Sequence, residues 1–313
     1  MADKNKFRFS IDRGGTFTDI YAEIPEPPWF MTMKLLSEDP DNYADAASEG
    51  IRRIMEKVTG QKVQQGCVEP SQIEWIRMGT TLATNALLER KGARTGLVIT
   101  RGFGDLLQIG YQNRPDIFDL RIRKPSLLYE AVIEVNERVR VVKPGEVSET
   151  AGITGEGIEV LKKPDLAIVQ HCFEELSDKG IRSVAVVLMN AYTFHDHEKL
   201  IGSLARSMGF EHVSLSHEVM PSVRIVGRGD TTTLDAYLTP KIMEYITSFR
   251  QGFCGEGCKV LFMQSYGGLI EADKFTGARA ILSGPAGGVV GYAMTCFDQQ
   301  TRQGVIGFDM GGT

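Results

Sequence analysis

Apolar positions along the chain change their spacing in a way that marks its elements. Phe7, Phe9 and Ile11 alternate with polar residues, and after Arg13-Gly14-Gly15-Thr16 the alternation resumes through Ile20, Ala22 and Ile24, so 7–24 reads as a hairpin with a glycine turn at its tip. Pro25, Pro27 and Pro28 end it, a third strand is expected at 29–36, and Ile51, Ile54, Met55 and Val58 line one face of a helix closed by Gly60. Next, a strand at 73–78, a helix at 82–91 with Gly92 as its C-cap and a strand at 95–100 read as a βαβ unit. Residues 101–155 are irregular and read as an insertion, with one imperfectly alternating strand at 131–142.

The pattern then becomes regular again. Leu166, Val169, Phe173 and Leu176 predict a helix ending at Gly180, the continuous run 183–188 a strand buried on both faces of a parallel sheet, and Leu200 to Met208 a second helix, before a short strand at 213–215. Residues 220–229 read as a crossing, with a helix restarting at Pro240 after Thr239 and a strand at 259–264. Two domains are expected: 1–220, and 221–313, the latter unfinished at Thr313.

Composition narrows the class. The 313 residues are 42% hydrophobic and 24% charged, with net charge −5, ordinary for a globular protein with a sizeable core. No basic run exceeds two residues, which argues against nucleic acid as partner. Neither a bilayer-length apolar run nor an N-terminal apolar leader is seen, so a cytoplasmic protein without membrane contact is expected. The five cysteines suit reduced thiols; only Cys254 and Cys258 lie close in sequence, without a second pair or a histidine to complete a metal site.

The candidate chemistry lies in a repeat. Asp12-Arg13-Gly14-Gly15-Thr16 recurs as Asp309-Met310-Gly311-Gly312-Thr313, each copy after an apolar stretch; Val305–Phe308 reads as a buried strand. Chance would give two such copies roughly once in 10^5 chains of this length, so a duplicated fold half is the natural reading. Two glycines and a threonine in a tight turn let amides and a hydroxyl approach phosphate, and an aspartate at the strand end suits a hydrated Mg²⁺. A plain hairpin turn capped by Asp is the alternative for a single copy. Ser283 to Ala293 places small residues at helical spacing, a flat face suited to packing against another helix; GxGxxG and Walker A sequences are absent.

Gly79, Thr80, Thr81 and Asn85 stand at a strand end and helix start, where an anion such as a carboxylate or a simple N-cap would both fit. His195 and His197 flank Asp196 and read as a solvated helix start. Arg101 and Arg114 could meet substrate, but surface ion pairs are the better reading.

DRGGT after the first strand, SGPAGGVVGY at 283–292 and VIGFDMGGT at 305–313 resemble the phosphate 1, connecting and phosphate 2 segments of the actin, sugar kinase and heat-shock chaperone superfamily. Together with 34–54, 78–110 and 228–240, they are similar to the hydantoinase and oxoprolinase family. The resemblance implies an α/β, actin-like (ribonuclease H-like) ATPase fold, with one complete lobe and an incomplete second. It implies ATP and Mg²⁺ as cofactors, with Asp12 and Asp309 as the catalytic, metal-flanking carboxylates and Gly14, Gly15, Thr16, Thr18, Gly311, Gly312 and Thr313 on the phosphates. Gly79, Thr80, Thr81 and Asn85 would meet a lactam substrate.

The implied reaction is ATP-driven opening of a cyclic amide, 5-oxoproline to glutamate, through phosphorylation of the lactam oxygen and attack by water; a hydantoin is the alternative substrate. A non-catalytic actin-like module bound to a larger subunit is the alternative from another class. Because the family's second phosphate hairpin, adenosine segment and C-terminal region have no counterpart here, a fragment inactive alone is expected, completed by a missing region or partner subunit, with a homodimer for the full-length protein.

Overall fold

The computed structural model describes residues 6–111, 116–121, 124–143, 145–255 and 257–310. In chain order the elements are β1 (Phe7–Arg13), β2 (Phe17–Glu23), β3 (Phe30–Leu36), α1 (Ala46–Thr59), β4 (Ile73–Thr80), α2 (Leu82–Leu88) and β5 (Thr95–Thr100). There follow α3 (Leu106–Ile109), β6 (Ala131–Val135), β7 (Arg138–Val141), β8 (Thr150–Ala151), β9 (Gly157–Lys162), α4 (Leu166–Asp178), β10 (Ser183–Val187), α5 (Asp196–Ser207) and β11 (His212–Leu215). The series ends with α6 (Ser216–Val219), α7 (Ile225–Arg250), β12 (Val260–Met263), β13 (Leu269–Glu271), α8 (Gly277–Ala280) and α9 (Ser283–Thr295).

These elements form two compact units that do not follow sequence order. One joins residues 1–91 to 241–313; the other is the continuous stretch 92–240. The division expected at 220 follows the linear order of patterns, whereas spatial grouping is set by which strands pair.

In the discontinuous unit, six strands lie in the order β13-β12-β4-β1-β2-β3. β1, β2 and β3 are antiparallel neighbours, while β4 runs parallel to β1 and β12 parallel to β4. Alternation along β1 sends Phe7, Phe9 and Ile11 into the core and leaves Ser10 and Asp12 on the opposite face. On the core face lies α1, capped by Asp45, whose side chain accepts from the Ser48 amide, and ended at Gly60 in the left-handed conformation. Its Ile51, Ile54 and Met55 are buried, together with Ile76, Phe249 and Phe262.

The continuous unit holds a parallel sheet, β11-β10-β5-β6, and a small antiparallel sheet, β7-β9-β8. Every residue of β5 and β10 is buried, as the continuous apolar run requires. Residues of α4 and α5 cover one face, with Phe173 and Phe210 rings 5.1 Å apart, and Ala236 of α7 belongs to the cluster on the other.

Several expectations change. β4 and β5 belong to different sheets, so 73–100 is not a βαβ unit, and α2 stops at Leu88, with Arg90 rather than Gly92 first taking a positive φ, 57°. The single strand at 131–142 is two, in separate sheets. The crossing at 220–229 is helical from Ile225, and α7 runs through Pro240 instead of restarting there. A proline at 240 cannot donate to the Ala236 carbonyl; that carbonyl instead accepts from the buried Ser183 hydroxyl at 2.6 Å, and the Tyr237 carbonyl accepts from Ala93 N at 2.8 Å.

His197 is buried, not solvated. Its Nδ1 lies 2.7 Å from Glu137 Oε2, and the next residue, Glu198, is the centre of a second buried network. Glu198 accepts from the Leu188 amide, the Ser216 hydroxyl and the His217 amide, and its Oε2 lies 2.6 Å from His217 Nδ1. Arg228, fully buried, donates to Ser216 Oγ and the Leu188 carbonyl. The His195 ring stacks on His217 at 4.1 Å, and burial, then the neighbouring His217, pulls its pKa down.

Candidate active site: an aspartate at a glycine turn

The apex of the β1–β2 hairpin is built by its own residues. Gly14 N donates to Phe17 O at 3.0 Å, and a Cβ added at Gly14 would stand 3.0 Å from that same oxygen, so only glycine closes the turn without displacement. From below, the Ser37 hydroxyl donates to the Gly14 carbonyl at 2.7 Å and Ser37 N to the Thr16 carbonyl at 2.9 Å. Among the described residues, the amides of Gly15 and Thr16 have no hydrogen-bond acceptor. Both residues are exposed. An outward pair of free amides at a two-glycine turn matches what a phosphate requires.

Thr18 departs from expectation. It is fully buried and its Oγ1 lies 3.0 Å from Ser37 Oγ, so it braces the turn from the core side and cannot reach a phosphate. The strand explains it: Thr16 belongs to the turn, whereas Thr18 lies in β2 and shares its inward face with Ile20 and Ala22.

Asp12 ends the exposed face of β1, in register with Asp19 on β2 and Gly79 on β4. Partial burial in the concave surface pushes its carboxyl above the usual carboxylate range; the charges of Asp19 and Asp309 add to this and Lys34 opposes it. Lys34 Nζ is engaged with both Asp19 oxygens at 2.9 Å. Asp309 therefore lies close enough for its charge to be felt at Asp12, although 296 positions separate them in sequence. A carboxylate held near others at the mouth of a free-amide turn fits a hydrated divalent cation.

The second copy of the motif is not the buried strand expected. Residues 301–310 have no strand structure, and Ile306, Phe308 and Met310 are highly exposed. The stretch passes α9 at Tyr292, whose ring leaves no room for a Cβ at Gly307. Gly311, Gly312, Thr313 and Arg114 lie outside the described residues. Arg101 forms no ion pair among the described residues; its carbonyl accepts from Arg138.

Of the expected substrate residues, Gly79 faces the same concavity as Asp12: a Cβ there would sit 3.4 Å from Asp12 Oδ1. Thr80 is buried and its Oγ1 accepts from Leu82 N at 3.1 Å, the capping alternative. Thr81 N donates to the Arg13 carbonyl, and Asn85 Nδ2 reaches Thr81 Oγ1 at 3.4 Å. These residues tie α2 to the hairpin apex. α9 packs beside β4 and β12, and Ser283 Oγ accepts from Thr80 N at 3.4 Å.

Between the exposed sheet face and α9 is a cavity of about 740 Å³ lined by Asp12, Lys34, Arg77, Gly79 and Met263 among others. Arg77 was not singled out from the sequence, though its alternation with Trp75 and Gly79 along β4 carries the signal. Nor was Arg13, whose guanidinium lies 4.8 Å from the Tyr245 ring centre on the core side. Among the described residues no cluster of His, Cys, Asp or Glu is arranged to hold a metal alone. Cys254 and Cys258 form no disulfide, and burial pushes Cys258 up to about 11.

Models of known families match nearly all of the chain. The hydantoinase/oxoprolinase N-terminal region covers residues 8–209, and hydantoinase/oxoprolinase covers 228–313. The chain belongs to the hydantoinase/oxoprolinase family. It is 55% identical to 5-oxoprolinase 1 of Arabidopsis thaliana, over 99% of this chain and 25% of that protein. The 5-oxoprolinase of Dictyostelium discoideum is 49% identical over 99% of this chain and 26% of its own length, and that of Saccharomyces cerevisiae 45% over 99% and 25%. The chain thus spans about a quarter of the length of these curated relatives.

Among solved structures, the ATP-dependent caprolactamase from Pseudomonas jessenii superposes with a TM-score of 0.70 at 23% identity, over 94% of this chain and 40% of that one. Nucleotide-free acetone carboxylase gives 0.66 at 20%, over 92% and 40%. At these identities the likeness is one of fold, an α/β fold consistent with the actin-like ATPase class. No described helix is long and apolar enough to cross a membrane.

Proposed function

We propose that this chain is the N-terminal, phosphate-gripping part of an ATP-dependent 5-oxoprolinase, which opens 5-oxo-L-proline to L-glutamate with cleavage of ATP to ADP and phosphate. The observation that carries the reading is the apex of the first hairpin: two unengaged amides, at Gly15 and Thr16, beside an Asp12 carboxyl made proton-hungry by its surroundings and by Asp309. Relatives that bear the name 5-oxoprolinase at 45–55% identity support the substrate.

A lactam carbonyl is a weak electrophile because resonance gives its C–N bond partial double-bond character. ATP supplies the driving force for opening it. In this reading Gly14, Gly15 and Thr16 hold the phosphates, joined by Gly311, Gly312 and Thr313 of the second copy. Asp12 and Asp309 would hold a hydrated Mg²⁺, which would supply positive charge against the phosphate oxygens. Ser37 and Thr18 keep the Gly14 carbonyl turned inward, so the turn's amides stay outward without reorganisation. The remaining region of the longer protein, or a partner subunit, completes the site.

The test is the full-length protein assayed for ADP release with 5-oxoproline and, separately, with hydantoin. ADP release that depends on 5-oxoproline and disappears in Asp12→Asn is the expected result. Release with hydantoin alone would move the assignment to the hydantoinase branch, and release with neither would refute it.

A further inference from the structure

Resting on the 5-oxoprolinase reading, we propose that Arg77 receives the carboxylate of the lactam and so sets the preference for an amino-acid lactam over an uncharged one. Arg77 opens into the 740 Å³ cavity that also holds Asp12. It is exposed, stacked at 4.0 Å on the Trp75 ring, and forms no ion pair among the described residues. The other cation in the cavity, Lys34, is already committed to Asp19. Arg77 is thus the cavity's uncommitted positive charge, lying over a ring face that occupies none of its N–H donors. A planar fork with free donors beside apolar wall residues is suited to a small ring bearing a carboxylate.

The spacing agrees. Arg77 is in register with Ser10 and Gly79 with Asp12, so Arg77 stands two residues along and one strand across from the aspartate, roughly 8 Å between the two backbones and within reach of the two side chains. In 5-oxoproline the carboxylate and the reacting carbonyl sit on the two ring carbons that flank nitrogen, roughly 5–6 Å apart from standard bond lengths. With the carboxylate at Arg77, the carbonyl is directed past Gly79 toward Asp12 and the phosphate turn. Gly79 places no side chain in that path; a Cβ there would make ordinary contact with Asp12 Oδ1, 3.4 Å away. The glycines of α9 that line the cavity, Gly284, Gly287 and Gly288, leave the opposite wall low.

The experiment uses the full-length enzyme and two lactams, 5-oxoproline and 2-pyrrolidinone, which lacks the carboxylate. Arg77→Gln is expected to raise KM for 5-oxoproline roughly 10- to 100-fold, as loss of a charged hydrogen-bond pair does, with Arg77→Lys between it and the parent. The poor use of 2-pyrrolidinone and the affinity for MgATP are expected to stay unchanged, which also shows that the variant is folded. A KM for 5-oxoproline unchanged in Arg77→Gln would overturn the inference and leave the 5-oxoprolinase reading intact; so would an equal loss with both lactams, the outcome if a protein segment covers the cavity. A parent enzyme that turns over no 5-oxoproline would overturn both.

Discussion

Ser183 Oγ donates at 2.6 Å to the carbonyl of Ala236, the acceptor that Pro240 leaves without its helical partner. The replacement donor comes from a buried strand, and it is what lets α7 continue where a proline normally ends a helix. Ser183→Ala leaves that carbonyl buried and unpaired, at an expected cost of about 1–3 kcal/mol. Pro240→Ala restores an N–H, so the serine substitution should cost less in that background. Urea unfolding of the four variants, read as a double-mutant cycle, measures the coupling.

Asp12 gives a pH signature. Its carboxyl is raised by partial burial and by Asp19 and Asp309, so the folded state binds this proton more tightly than the unfolded state does. The aspartate therefore destabilises the fold at pH values above its raised pKa, and the deficit disappears as pH falls to the ordinary carboxylate range. Asp12→Asn is expected to raise the melting temperature at neutral pH, to lose that advantage in acid, and to bind MgATP more weakly than the parent. Melting curves across pH, with and without nucleotide, check the sign; a lower melting temperature at neutral pH would contradict it.

Glu198 supports the 92–240 unit from its centre. Four hydrogen bonds converge on its two oxygens and its side chain is fully buried. Glu198→Ala strands His217, Ser216 and the Arg228 charge, for an expected loss of about 3–5 kcal/mol. Hydrogen exchange should show faster amides in β10, β11 and α5, and unchanged protection in β1, β2 and α1.

Gly50 permits α1 to lie close on the hairpin. A Cβ there would fall 1.9 Å from Ile20 Cδ1, and Ile20 is buried. Gly50→Ala should destabilise by about 1–3 kcal/mol despite its gain in helix propensity. Adding Ile20→Val removes the colliding methyl and should recover part of the loss in thermal unfolding.

What could be read from the sequence was what local chemistry decides. The alternation in β1 and β2, the two-glycine turn and the unbroken Val184–Val187 run name their own structure, because period and turn chemistry are properties of neighbouring residues. Partners were illegible. Nothing in Ile73–Thr80 or Thr95–Thr100 states that one strand joins β1 and β12 while the other joins β10 and β6. His197 reads as surface until Glu137, 60 residues earlier, is placed beside it. At the site, Asp12 and the turn were legible as a motif, whereas Thr18 belongs to the inward face of β2 rather than to the turn and Arg77 needed the cavity to be noticed.

The hydrogen bond from Ala93 N to the Tyr237 carbonyl, 2.8 Å, has a consequence for assembly of the six-stranded sheet. It pins the first residues of the 92–240 unit to its last, and the Tyr237 ring fills the space where a side chain at position 92 would be. β12 must find β4 across the whole of that intervening stretch. Once the stretch has folded on its own contacts, the two strands are separated by a short staple rather than a long floppy loop, and most of the entropy of closing it has already been lost. Folding of the inserted unit on its own contacts would therefore leave β12 only a short closure away from the edge of β4.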